Sequence, residues 1–154
     1  MNLEQEIKMQ SFSNDFQRAY LNLIFTANYL EATMQQRLKQ YNLSPPQFNV
    51  LRILRGQKGT PMSALAIQER MIHRTSNVTR ILEKLVEKKL VTRENKPDNR
   101  RMIDVLITEK GLELVHRASE TADDVIRILE IALQAENAKN LGDWMDAIRN
   151  VKMD

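Results

Sequence analysis

Between His73 and Arg80 the chain gathers three hydroxyls (Thr75, Ser76, Thr79), one carboxamide (Asn77) and one guanidinium (Arg80) within six residues. These groups donate and accept hydrogen bonds in fixed directions, but none is a strong nucleophile by itself. Their chemistry is recognition. An Asn amide pairs bidentately with an adenine edge and an Arg fork with a guanine edge, each good pair giving about 1–3 kcal/mol of discrimination. A helix start adds unpaired N–H groups and a partial positive charge, which suit a phosphate. Thr75, Ser76 and Asn77 are equally good helix caps, and one of the three is expected to serve so. Arg80 fits a phosphate as well as a base, and Lys84 carries the polar face one turn further.

A second cluster, Lys96-Pro97-Asp98-Asn99-Arg100-Arg101, separates two strand-like runs. Pro97-Asp98-Asn99 is turn chemistry. Arg100, at the tip of such a hairpin, suits the enhanced negative potential of a narrow minor groove. Lys96, Asn99 and Arg101 beside it are candidate phosphate contacts or solvated polar groups. Asp98 would be repelled by DNA unless paired, so it is expected to support the turn, by bonding the backbone or holding an arginine.

Charge follows the same division. Residues 1–69 carry 7 Lys/Arg against 5 Asp/Glu, residues 70–103 carry 10 against 4, and residues 104–154 carry 6 against 11. The positive excess sits on the two clusters, where a phosphate-facing surface would need it. An enzyme finds little to work with. The only histidines, His73 and His116, fall in different elements, and the sequence has no cysteine, phosphate loop, nucleophile elbow or paired metal-ligand spacing. No catalytic residue, metal or cofactor is expected. The start lacks a signal-peptide pattern and no apolar run approaches the roughly 20 residues of a membrane span. A cytoplasmic protein with no membrane partner is the expectation.

The elements that must position these groups are mostly helical. From Phe12 to Leu38, apolar residues recur in steps of three and four, with Leu21, Ile24 and Phe25 forming a second face. Two apolar faces on one helix call for two partners, one of which can be a second subunit. Ser44, Pro45 and Gln47 make a capping box for the next helix, with Phe48, Leu51, Ile53 and Leu54 inside it. Ser63 is the expected cap of a short helix to about Met71, whose Leu65, Ala66 and Ile67 are expected to pack on its successor. That successor is expected from near Thr75 to near Lys89, buried through Val78, Ile81, Leu82, Leu85 and Val86. Two strand-like runs follow, 90–94 and 102–107. Thr108 caps a long helix, a polar patch at 136–140 interrupts, and a last amphipathic helix carries Leu141, Trp144, Met145, Ile148 and Val151. Helix, turn, helix and charged hairpin form a winged helix-turn-helix. The fold class is mostly α, with long N- and C-terminal dimerisation helices and a small β-hairpin wing.

These residues resemble the MarR family of bacterial transcription regulators over nearly the whole chain. The resemblance is carried by Leu43-Ser44-Pro45-Pro46-Gln47-Phe48-Asn49-Val50-Leu51 and Ser63-Ala64-Leu65-Ala66. It is carried further by Thr75-Ser76-Asn77-Val78-Thr79-Arg80, and by Asp98-Asn99-Arg100 leading to Val105-Leu106-Ile107-Thr108 and Gly111. The chain departs where the family usually places Gly between the reading helix and the first wing strand; Lys89 stands here. The resemblance implies a single domain over 1–154, with dimerisation helices at 1–40 and 109–154 and a winged DNA-binding region at 41–108. It also implies a homodimer that binds double-stranded DNA at a pseudo-palindromic operator, usually to repress. A small aromatic or phenolic effector often releases such proteins. Phe25, Tyr29 and Leu51 are candidate lining for its pocket, and equally core packing. A helical dimer whose winged module binds protein is the alternative.

Overall fold

Short polar caps set the helix starts. The computed structural model describes residues 2–74, 77–96 and 99–152, with the backbone alone for 95, 96 and 99–103. Asn14 Oδ1 accepts the Gln17 N–H at 2.9 Å and opens α2, Asp15–Leu38. A short α1, Leu3–Glu6, precedes it, with Leu3 buried and Glu4 paired to Arg18 of α2 at 3.1 Å. After a 3-10 turn, Lys39–Tyr41, the expected capping box of Ser44 and Gln47 starts α3, Pro45–Gly56. Ser63 caps α4, Ala64–Arg70, and Thr108 caps α6, Glu109–Ala132, as their positions in the sequence require.

Between these lie α5, Val78–Glu87, and three strands: β1 Met62–Ser63, β2 Val91–Lys96 and β3 Asn99–Ile107. The sheet is antiparallel in the order β1-β3-β2, with Met62 opposite Val105 and Val91 opposite Ile107. The β2–β3 register shifts between Asn95 and Lys96, at the far end of the hairpin. A final helix, α7, spans Ala135–Asn150. One apolar cluster joins the end of α2 (Leu38), α3 (Leu51, Leu54), α4 (Ile67), α5 (Leu82, Leu85), the sheet (Val91, Val105) and the first half of α6 (Val115, Ala118). Among the described residues, no helix is long and apolar enough to cross a membrane.

Several sequence expectations need correction. The first long helix starts at Asp15 rather than near Phe12, because Asn14 caps it. The break between the last two helices is Leu133–Gln134, where the backbone turns extended, and the polar patch 136–140 lies inside α7. Leu65 is 67% exposed, because the short α4 points Ile67 at the core and turns Leu65 outward. Val86 is also exposed: a stripe of Val78, Leu82 and Leu85, spaced i, i+4, i+7, leaves it at the margin.

The exit from α5 answers the question posed by Lys89. Its φ is +58°, the left-handed conformation that glycine adopts most easily. The Lys89 N–H donates to Val86 O at 2.8 Å and the Leu90 N–H to Leu85 O at 2.9 Å. Those two bonds are a Schellman stop, made here without glycine. Thr108 then secures the crossing chain, its hydroxyl donating to Lys89 O at 2.9 Å and its N–H to Leu90 O at 3.1 Å.

Candidate nucleic-acid interface

The candidate reading helix α5 is strongly two-sided. Val78, Leu82 and Leu85 are buried, whereas Asn77, Thr79, Arg80, Glu83, Lys84 and Glu87 face outward. The helix begins at Val78, three residues later than the apolar pattern suggested, because Asn77 is its cap. The Asn77 Oδ1 accepts the Arg80 N–H at 3.1 Å. An amide so engaged has one fewer acceptor for a base edge, so the outward polar groups on the first two turns are Thr79, Arg80, Glu83 and Lys84, of which Thr79, Arg80 and Lys84 can donate to DNA. Thr75 and Ser76 lie outside the described residues.

Four contacts hold this helix in place. Asn49 of α3 accepts the Ile72 N–H at 3.1 Å and anchors the α4–α5 connection. His73, in the same connection, lies 3.5 Å from Glu31 of α2 rather than standing alone in a loop. Arg93 of β2 donates through Nη2 to Thr79 O at 3.1 Å, tying the wing's base to the first turn of α5. Lys88 donates to Gln47 Oε1 at 3.1 Å and to the Asn42 carbonyl, fastening the end of α5 to the start of α3. Burial, and then the positive charge of Lys84, hold the Lys88 ammonium below the usual lysine range. Arg93, Asn49 and Lys88 were not singled out from sequence. Each reads there as one more polar residue on an amphipathic element, and only the tertiary pairing separates it from its neighbours.

The basic cluster lies on the hairpin whose base Arg93 ties to α5. Lys96 closes β2, and Asn99, Arg100 and Arg101 open β3, with Lys96 opposite Asn99. Pro97 and Asp98 lie outside the described residues, and so does the supporting role expected of Asp98. The candidate effector residues part company. Leu51 is fully buried in the main core and lines no recess with the other two, because α3 points it inward between α2 and α5. Phe25 and Tyr29 are partly exposed, at 39% and 54%, and line a shallow recess of about 250 Å³ with Leu3, Asn22 and Thr26.

Comparison with known proteins matches this geometry. The MarR family's sequence profile covers residues 43–103, from the start of α3 into β3. A MarR transcription factor from Planctomyces limnophilus is 31% identical, with TM-score 0.69 over 89% of this chain and 99% of that one. The chain belongs to the MarR family of transcription regulators. The regulator MhqR of Bacillus subtilis is 27% identical over 117 residues, or 71% of this chain and 79% of that protein. Two further structures share the fold at 19% identity. A DNA complex of MepR from S. aureus has TM-score 0.75 over 92% of this chain and 100% of that one. The organohalide-sensing regulator RdhR-CbdbA1625 in its 2,4-dichlorophenol-bound form has TM-score 0.78 over 92% and 87%. This MarR-family chain is thus a DNA-binding transcription regulator with a winged helix fold, and the family's members are regulators rather than enzymes.

Proposed function

We propose that this regulator works as a homodimer, with helices in 1–40 and 109–154 joining two copies and the winged regions 41–108 gripping one pseudo-palindromic operator as a repressor. The observation that carries the dimer is apolar surface without a partner in its own chain. Phe16 is 87% exposed, Ile131 82% and Trp144 62%, and Tyr20, Ile126 and Ile148 are exposed with them. No residue of α7 is buried. Helices with apolar faces of this kind are stable only when something covers them. A second copy does so symmetrically, and sets two reading helices about 34 Å apart, on successive major grooves.

On the operator, Arg80 and Thr79 read base edges in the major groove. Arg100 enters the minor groove, and Lys84, Lys96, Asn99 and Arg101 hold the backbone. Thr75 and Ser76 take phosphate or base contacts ahead of the Asn77 cap. A small aromatic or phenolic molecule at the Phe25–Tyr29 recess releases the DNA by favouring another spacing of the two reading helices. The dichlorophenol held by a regulator of the same fold supports that class of ligand.

Sedimentation across a concentration series and duplex selection from a random pool test this reading together. The expected results are a dimer and a two-fold-related site, bound with affinity that falls steeply in salt. A chain that stays monomeric, or binds no duplex at low ionic strength, overturns it. Arg80→Ala is expected to change the selected bases and Arg100→Ala to weaken binding while the fold stays intact. An unchanged site and unchanged affinity would remove those two assignments.

A further inference from the structure

Two adjoining recesses run between the start of α3 and the outer face of α5. One, of about 460 Å³, includes Lys39, Lys84, Glu87 and Lys88 in its lining, and the other, of about 350 Å³, includes Arg80 and Lys84. Both include Ser44, Gln47 and Lys84, so they adjoin along the start of α3 as a trough whose lining runs from Lys39 in the one to Arg80 in the other. Its charged side chains are four cations, Lys39, Arg80, Lys84 and Lys88, against one acid, Glu87.

The start of α3 offers this trough no free backbone donor. Pro45 and Pro46 have no N–H, the Gln47 N–H donates to Ser44 Oγ, and the Phe48 N–H donates to Ser44 O. Lys88 is committed to Asn42 and Gln47. The Lys39, Arg80 and Lys84 side chains have no hydrogen-bond or ion-pair partner among the described residues. Three uncommitted cations therefore line these recesses, two of them, Arg80 and Lys84, from the exposed side of α5. Like charges lining one recess repel, and an anion between them relieves that repulsion.

We infer that this trough is a second backbone contact, in which Lys39 and Lys84 take phosphates of the strand flanking the major groove that α5 enters. The inference rests on the DNA reading above and extends the footprint to Lys39, in the turn that leaves α2. These contacts are point charges without a donor fork, so they add affinity without sequence preference.

The test uses the full-length protein and a duplex that it has itself selected from a random pool. Binding is followed by fluorescence anisotropy between low and moderate salt. Lys39→Ala and Lys84→Ala each remove one contact per half-site, so each should weaken binding by the dimer about ten- to hundredfold and reduce the slope of log K against log salt by about 1.8, about 0.9 for each of the two phosphates lost. Lys39→Arg should restore the slope. Lys139→Ala, which removes the same charge from α7, should leave it alone. Ethylation interference should lose the same flanking phosphate in both half-sites with Lys39→Ala, and a second selection should return the parent's site. If folded Lys39→Ala keeps the parent's slope and affinity, the trough is not a DNA contact, and the DNA reading stands without it. If Lys39→Ala changes the selected bases, the contact is not to phosphate and the inference fails. If the parent selects no duplex, both readings fail.

Discussion

Gly111→Ala tests the joint between the winged region and the long helix that leaves it. A Cβ built on Gly111 lies 2.2 Å from Leu90 O, 2.8 Å from Ile107 Cγ1 and 3.1 Å from Leu90 C, where ordinary contact begins near 3.4 Å. The carbonyl would have to retreat by more than about 1 Å to reach van der Waals distance. It has no easy retreat. Leu90 O accepts the Thr108 N–H at 3.1 Å, and the Leu90 N–H closes the Schellman stop of α5 at 2.9 Å. Overpacking of this kind costs about 1–3 kcal/mol. Weakening the hydrogen bond beneath it adds about 1 kcal/mol. Alanine's better helix propensity returns at most about 1 kcal/mol, and less in the first turn, where Gly111 sits. The net loss is about 2 kcal/mol, which for a chain of this size lowers Tm by roughly 4–8 °C. Circular dichroism melts at one fixed protein concentration would measure it, since the Tm of the proposed dimer would depend on concentration. DNA affinity should fall as well, because the displaced carbonyl belongs to the residue that ends the reading helix's stop. A Gly111→Ala protein melting at or above the parent's Tm would refute the steric argument outright.

Lys89→Gly should stabilise the protein. A non-glycine residue in the left-handed region costs about 1–2 kcal/mol, while glycine's extra chain entropy returns about 0.5–1 kcal/mol of that. The exposed Lys89 side chain takes little packing with it, so urea titration should show a gain of about 0.5–1 kcal/mol, and a loss would contradict the strain. Leu51→Ala should cost about 2–5 kcal/mol by the same titration; a cost under about 1 kcal/mol would mean that Leu51 borders space rather than core. Acid should loosen α1 from α2. A hydrogen bond with its own backbone, and then one from Arg18, hold the Glu4 carboxyl below its ordinary 4.5. A depressed carboxyl stabilises above its unfolded value and loses that contribution as pH falls through the folded one. The protection factor at Leu3–Glu6, the exchange rate corrected for the intrinsic rate at each pH, should therefore fall below pH 4.5 in the parent, and Arg18→Ala should weaken the dependence; equal protection at about pH 3 and about pH 7 would dismiss it.

The caps were the most legible part of this molecule. Ser44, Ser63 and Thr108 each satisfy a local hydrogen bond within three residues, and local bonds leave their pattern in the sequence. The winged arrangement was legible for the same reason, since turn chemistry and apolar period alternate in one order. The start of α5 was harder. Thr75, Ser76 and Asn77 are all competent caps, and choosing among them depends on where Asn49 pins the connection, a contact 23 residues away. Exposure was harder still. Phe16, Tyr20 and Trp144 read as parts of apolar helix faces, and in one chain they face outward, because periodicity reports a helix's apolar face and not what covers it. Arg93 and Lys39 were invisible. Their significance lies in what stands opposite, a main-chain carbonyl for one and a trough of other cations for the other.

The attachments of α5 bear on how release would work. The helix is held to α3 at both ends, through Asn49 and Gln47, to α2 through His73 and Glu31, and to the wing through Arg93. Its exit is locked under α6 by Thr108 and Gly111. With so many independent ties, bending α5 away from DNA would break several hydrogen bonds at about 1 kcal/mol each. Rotating the whole winged region on α2 and α6 keeps the ties to α3 and the wing and changes only those to α2 and α6. In the proposed dimer a ligand beside Phe25 and Tyr29 acts on α2, the helix about which such a rotation turns. A few degrees there shift α5 by ångströms at the DNA, enough to take two reading helices off successive grooves. In the proposed dimer, rigid attachment of α5 would let a small change on α2 be felt at the operator.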